Sequence, residues 1–230
     1  MTALVNPFWF APAGDPSFAS VMLLLHFDGA NGSTTFVDNS AANRTVTALG
    51  ADALTTAQQR FGTASLSVGA GPSSATGAQW QFGAGQFTVE AFIRPTAAIS
   101  GVRGIVTVWG TAGFGWFLGF NGNTLAFFYS TTGADNPVVT GAYTPPQNQW
   151  IHIAADRDAS NVLRVYADGV VIASATVSAT FFNSPRTLRI GDDETVTRVF
   201  AGQIDEVRIT KGVARYGGAF TPPTAAFPNS

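Results

Sequence analysis

The sequence predicts an all-β protein folded as a two-sheet antiparallel sandwich. From Val21 onward, short runs rich in Val, Ile, Phe, Thr and Trp recur along the 230-residue chain. Clusters of Gly, Asn, Asp and Pro separate these runs at regular spacing. No amphipathic helix of useful length interrupts the series, which leaves antiparallel layers as the architecture.

The elements follow in order. "VMLLLHF" (21–27) reads as the first strand, and "DGANGSTTFVDNS" (28–40) as a polar loop holding a brief strand. "ASLSV" (64–68), "FTVEAFIRP" (87–95), "GIVTVWG" (104–110), "GWFLGF" (115–120) and "TLAFFYS" (124–130) come next. "STTGADNPVVTG" (130–141) reads as a rim loop and "WIHIAADRD" (150–158) as a strand. In "NVLRVYADGVVIASATV" (161–177), Asp168-Gly169 between two alternating runs is the strongest short-range hairpin signal. "RTLRIGDD" (186–193) and "GQIDEVRIT" (202–210) complete the set. Only "TTAQQR" (55–60) and "KGVARY" (211–216) have the composition of a single helical turn.

"WIHIAA" is apolar in both of its alternating sets, so its strand needs cover on its outer face as well as its inner one. The N-terminal arm or a partner is the expected cover. Residues 1–20 stand apart as that arm. Phe8, Trp9, Phe10 and Phe18 lie among Pro7, Pro12 and Pro16, which favour an extended course. Two readings are open: the arm folds back on its own domain, or it docks into a neighbouring subunit. The division expected is thus an arm at 1–20, a sandwich at 21–223 and a tail at 224–230. No internal repeat is visible, which argues against a propeller or solenoid.

Composition narrows the function classes. Hydrophobic residues make up 46 % and charged residues 11 %, well under the roughly 25 % charge usual for globular domains. Such a chain fills a large core and is expected to cover part of its surface with other protein, as a homo-oligomer or in a larger particle. A net charge of −2 points to neither nucleic acid nor an anionic membrane as a partner. The absence of cysteine excludes disulfides, thiolate metal sites and cysteine nucleophiles. No run of about 18 apolar residues predicts a membrane span, and the Pro-interrupted N-terminus makes a poor secretory signal.

Two adjacent carboxylates, Asp205 and Glu206, interrupt the apolar pattern of the last strand. Neighbours in a regular strand point to opposite faces, so without a bulge one faces inward or to a rim and the other faces solvent. Paired-carboxylate hydrolysis needs both acids across one cleft. "GQIDEVRI" places Gln203, Asp205 and Val207 on one face, and Glu90 has no acidic partner at strand spacing, so a glycosidase is the remote reading. His152 reads as a hydrogen-bonded core residue, and His26 as either a core or a rim group. The glycine loops at 69–74 and 83–87 open no helix and are not phosphate cradles. Trp80, Trp109, Trp116 and Tyr129 fall at strand ends or in aromatic runs, and are the candidates for contact with a glycan or a protein.

The ordered series "LLLHFDG", "FVDNS", "FGTASLSV", "FTVEAFIRP", "WIHIAADRD", "VLRVYADGVVI", "LRIG" and "GQIDEVRITKGVARY" resembles the concanavalin A-like, laminin-G-type jelly-roll domains, over about Val21 to Pro223. The ending "IDEVRITKGVARY…FTPP" resembles the version found in tailed-bacteriophage structural proteins. The resemblance implies a two-sheet jelly roll whose relatives bind glycans or proteins through loops at one rim. It also implies that relatives often hold a calcium ion near a sheet edge. Asp28, Asn31, Asp38 and Asp205 are the oxygen ligands on offer for such an ion. The alternative is that Asp28 and Asp38 are turn residues and that Asp205 pairs with an arginine. No cofactor is required.

The expectation is a non-enzymatic structural protein on a phage particle surface, assembled in the host cytoplasm. It would be a capsid decoration or head-surface protein, or a tail-associated one, joined through its N-terminal arm to other capsid or tail proteins. The alternative is a tail-fibre module that binds a host surface glycan.

Overall fold

The structure, a computed structural model, describes residues 14–230. In chain order the strands begin with β1 (Val21–Leu25), β2 (Thr35–Phe36), β3 (Val46–Thr47), β4 (Ala53–Thr55) and β5 (Ser65–Ser67). They continue with β6 (Ser73–Ser74), β7 (Phe87–Pro95), β8 (Val102–Val108), β9 (Trp116–Asn121), β10 (Thr124–Tyr129) and β11 (Val138–Ala142). The last are β12 (Ile151–Arg157), β13 (Val162–Ala167), β14 (Val170–Thr176), β15 (Leu188–Ile190) and β16 (Gly202–Lys211). The helical content among the described residues is two 3-10 turns, Phe18–Ser20 and Ala78–Trp80.

The strands form two antiparallel eight-stranded sheets. The first runs β14-β13-β12-β7-β16-β5-β4, with β1 also paired to β16. The second runs β11-β10-β9-β8-β15-β6-β3-β2. Strands distant in sequence lie side by side in both, as in a jelly roll. The β13–β14 hairpin forms where Asp168-Gly169 predicts it: both residues have positive φ, 46° and 77°, as a type I′ turn requires.

Four strands escape the sequence pattern. β3, β4 and β6 are two or three residues long, too short to show alternation. β11 lies in the segment read as a rim loop, so that loop shortens to 130–137. "TTAQQR" and "KGVARY" are not helical: Thr55 ends β4, Lys211 ends β16, and the residues after each are irregular.

Alternate residues meet between the sheets: Val89, Ala91 and Ile93 of β7 and Ile151, Ile153 and Ala155 of β12 face Trp116, Leu118 and Phe127 of the second sheet. In β16 the inward set is Ile204, Val207 and Ile209, so the period of two breaks between Ile204 and Val207. The cause is a β-bulge: the β16–β7 register shifts between Asp205 and Arg208, and Glu206 has φ 51°. The expectation that one carboxylate faces solvent is therefore corrected. Asp205 is fully buried and Glu206 is 1 % exposed.

The outer face of the first sheet is covered as its two-sided burial demands, by both ends of this chain. Asp15 N–H donates to the Ser230 carbonyl at 2.5 Å. Phe18 and Phe227 pack with Val21, Leu24 and Phe92. Residues 14–20 and 224–230, which the sequence separates as arm and tail, are thus joined to the sandwich. Phe8, Trp9 and Phe10 of the arm lie outside the described residues.

Beside this apolar patch lies a buried polar layer centred on Glu90. Its carboxylate accepts hydrogen bonds from His152 Nε2 (3.0 Å), Arg208 Nε (2.9 Å) and the Tyr216 hydroxyl. Asp15 bridges Arg208 (3.2 Å) and Arg215 (2.7 Å) from above. Asp156 accepts from the Tyr166 hydroxyl and from the Tyr216 and Gly217 amides. Burial by itself pushes Glu90 up, but Arg208, His152 and Tyr216 more than offset it and hold the carboxyl at about 2.

Because Glu90 titrates far below its ordinary value of 4.5, its contribution to stability is complete above that pH and disappears as pH falls toward 2. Urea melts between pH 6 and 2, compared for wild type and Glu90→Gln, should show a loss of order 3 kcal/mol in the wild type over this window that the variant lacks. A Cβ on Gly169 would lie 1.8 Å from the Phe220 carbonyl, and φ there is positive. Gly169→Ala should therefore cost about 1–3 kcal/mol, read as a shift in the thermal midpoint.

Candidate functional site

The inward face of β12 continues past Ile151, Ile153 and Ala155 to Arg157, which is fully buried. Its guanidinium meets carbonyls rather than a carboxylate. It donates to Gly83 (2.6 Å), Gly85 (2.7 Å) and Ala179 (3.1 Å), and it lies 4.3 Å from the centre of the Phe181 ring. Burial lowers its pKa against a weaker opposing pull from the Tyr129 phenol, and no carboxylate contributes. One cation thereby ties the loop before β7 to the loop after β14, helped by a hydrogen bond from Phe181 N–H to the Gly83 carbonyl.

Those two loops and the end of β16 border a shallow, open groove of about 660 Å³ at one rim of the sandwich. Thr76, Gly77, Ala78, Gln81 and Phe82 form one wall, Asn183, Ser184 and Pro185 the other, and Lys211 an end. The walls are tied together: Gln81 Nε2 donates to the Ser184 carbonyl at 2.6 Å. Beneath them Trp80 Nε1 donates to Ala75 O, and Trp116 Nε1 to Trp80 O, both at 2.8 Å. Lys211 Nζ gives one hydrogen bond to the Ala78 carbonyl at 2.6 Å, and partial burial lowers its pKa with no acidic neighbour contributing. The groove is preformed, offers exposed amide and hydroxyl groups from Asn183 and Thr76, and has two cations at or under it without a carboxylate partner.

A second polar trough of about 620 Å³ lies over the β2–β3 hairpin. Its one cation, Arg44, is already bound to the Met22 carbonyl and lies 4.0 Å from Asp38. The rim groove is therefore the better ligand site.

The aromatic candidates divide. Trp80 and Trp116 are 0 % and 1 % exposed, which corrects their reading as contact residues: they are core beneath the groove. Tyr129 is half-buried and stacks on Phe181 at 4.8 Å, so it too packs inward. Trp109 is on the outer face of the second sheet, stacked on Phe114 at 4.5 Å, where it lines a small apolar slot. The signal for Arg157 was present in the β12 alternation. Gln81, Asn183 and Lys211 had none, because they converge only through loop packing.

The four oxygen ligands offered for calcium do not share a centre. Asp28 accepts from the Thr63 amide and hydroxyl, and Asn31 from the Thr56 amide. Asp38 accepts from the amides of Leu24, Ser40 and Arg44, and Asp205 from those of Arg60, Phe61 and Glu206. Asp205 is thus held by backbone rather than by an arginine. Among the described residues no group of three or more His, Asp or Glu side chains is arranged to hold a metal ion. Burial, with the neighbouring Glu206 charge, pushes Asp205 up to about 8 against the pull of these amides. Glu206 in turn accepts from His26 Nδ1 at 2.9 Å and from the Phe227 amide at 3.0 Å. The two carboxylates brace the end of the sandwich.

Residues 67–215, well over half of the chain, match the laminin G type of the concanavalin A-like lectin/glucanase superfamily. The chain belongs to that family. No curated protein matches this laminin-G-like chain significantly. Among solved structures it is similar to the binding domain of Paraclostridial Mosquitocidal Protein 1, with 13 % identity, TM-score 0.65, and coverage of 86 % of this chain and 50 % of that one. It is also similar to the binding domain of botulinum neurotoxin DC in complex with rat synaptotagmin II (16 % identity, TM-score 0.62, 86 % and 50 % covered). The same toxin domain in complex with SialylT gives 16 % identity and TM-score 0.61, with 86 % and 49 % covered. The chain spans about half the length of these structures, and at this identity the likeness shows the fold.

Since each carboxylate named for calcium is already occupied by backbone donors, thermal melts in millimolar calcium and in chelator should share one midpoint. A rise of several degrees with calcium would mean that those donors give way to the ion.

Proposed function

We propose that this laminin-G-like domain is a recognition module that binds an acidic saccharide in the rim groove. The observation that carries this reading is the pair of cations, Lys211 at the groove and Arg157 beneath it, with no carboxylate partner, in a concave site that also presents free amide and hydroxyl groups. Sugar hydroxyls suit such amides, and a uronic or sialic carboxylate suits the lysine. Whereas the family itself includes both lectins and glucanases, the solved relatives named above are binding domains, which supports recognition over catalysis. So does the occupation of Asp205 and Glu206 by structural hydrogen bonds, which leaves neither carboxylate facing a cleft. A place on a virion surface, where such a module would meet a host glycan, rests on the resemblance of the "IDEVRITKGVARY…FTPP" ending to phage structural proteins.

The test is calorimetric titration of the whole chain with matched neutral and acidic oligosaccharides. The acidic ligand should bind more tightly, and Lys211→Met should weaken it about tenfold, the worth of one charge-assisted hydrogen bond, while leaving any neutral ligand unaffected. Equal affinity of wild type and Lys211→Met for the acidic sugar would remove the groove from the account, and no binding of any saccharide would remove the function.

A further inference from the structure

We propose that the aromatic slot on the outer face of the second sheet receives the Phe8-Trp9-Phe10 stretch of a second copy of this chain. The slot is independent of the rim groove. Trp116, Leu118 and Phe127 point into the core, so Phe117 and Phe128 lie on the opposite face of β9 and β10. Phe117 and Phe128 meet edge to face at 5.7 Å, and Trp109, stacked on Phe114, closes the other side. The enclosed space is about 110 Å³, and its walls are carbon with little polar surface. Arg198 at the mouth is paired with Asp193, so the slot presents no free charge. Val138, 41 % exposed, lies opposite Phe128 in the β10–β11 register and extends the apolar surface outward.

Such a slot fits an uncharged aromatic anchor, and this chain carries one. Residues 1–13, "MTALVNPFWFAPA", contain no Asp, Glu, Lys or Arg and present three consecutive aromatics between two prolines. Aromatic anchors seated in small apolar pockets supply most of the energy at protein interfaces.

Geometry directs the anchor to another copy. Asp15 is held by Arg208 and Arg215 over the middle of the first sheet, on the outer face opposite the slot. Phe8–Phe10 precede Gly14 by four to six residues, a reach of about 14–21 Å when fully extended. The two sheets alone are about 10 Å apart, and a route from the outer face over β16 to the far face must also cross the outer side-chain layers and pass either the neighbouring strands β5 and β4 or the strand ends. The chain's own slot is out of reach, and that of a neighbour is not.

Sedimentation of the 230-residue chain across a wide concentration range tests this. The wild type should self-associate, and Trp9→Glu and Phe128→Glu should each weaken association at least about tenfold. An equimolar mixture of the two variants should regain part of it, because one supplies an intact arm and the other an intact slot. Should circular dichroism show that Phe128→Glu is misfolded, Val138→Glu at the exposed mouth takes its place. A chain that is monomeric throughout, association indifferent to both substitutions, or a mixture no tighter than its separate components would overturn the proposal.

Discussion

One buried carboxylate organises the side of this sandwich that a two-layer fold would ordinarily leave to water. Glu90 points away from the core, yet it is fully buried, because the chain's own ends lie across it. A lone ion there would carry a desolvation penalty of several kcal/mol, so the cover and the partners must come together. Arg208, His152 and Tyr216 meet the carboxylate directly, and Asp15 gathers the two arginines from the covering segment. The layer therefore acts as a registry device. The covering segments of residues 14–20 and 212–230 contain no strand and only the single 3-10 turn Phe18–Ser20, and satisfied charges hold them where a hydrogen-bond ladder does not.

The opposite strategy appears at the rim. Arg157 is equally buried but has carbonyls as its only hydrogen-bond partners, so its charge remains while its donors are satisfied. It does two things at once. It locks two loops into a groove, and it leaves positive potential beneath that groove, where Lys211 adds its own. A site built this way is preorganised, so a ligand would not have to order it on binding. The balanced charges under the C-terminal cover and the unbalanced ones at the rim separate a structural network from the proposed recognition groove.

The expected place on a phage surface and the proposed recognition function draw on different parts of this arrangement. Low charge content and an aromatic arm led to a reading of attachment, while the proposed binding of a saccharide rests on the two cations at the rim groove. The two concern different faces: the rim groove is polar and cationic, whereas the slot of Trp109, Phe117 and Phe128 is apolar and neutral. The two proposals, self-association by one face and ligand binding by another, call for this division.

By itself the sequence determined the layers. Alternation in β7, β12 and β13, the Asp168-Gly169 turn and the absence of helical periodicity made the sandwich legible, because strand period and turn chemistry are local properties. It also showed that some strands were buried on both sides. It did not show that the cover would be the chain's own C-terminal segment, since that segment has no periodicity and is held by partners such as Glu90, more than a hundred residues away. It placed Asp205 and Glu206 on opposite faces because a bulge, which depends on register with β7, cannot be read from one strand. Trp80 and Trp116 looked like contact residues for a similar reason: exposure is decided by what packs above a side chain. Tertiary structure alone brought Gln81, Asn183 and Lys211 to one groove, because nothing in their local sequence reports a meeting of two loops with the end of β16.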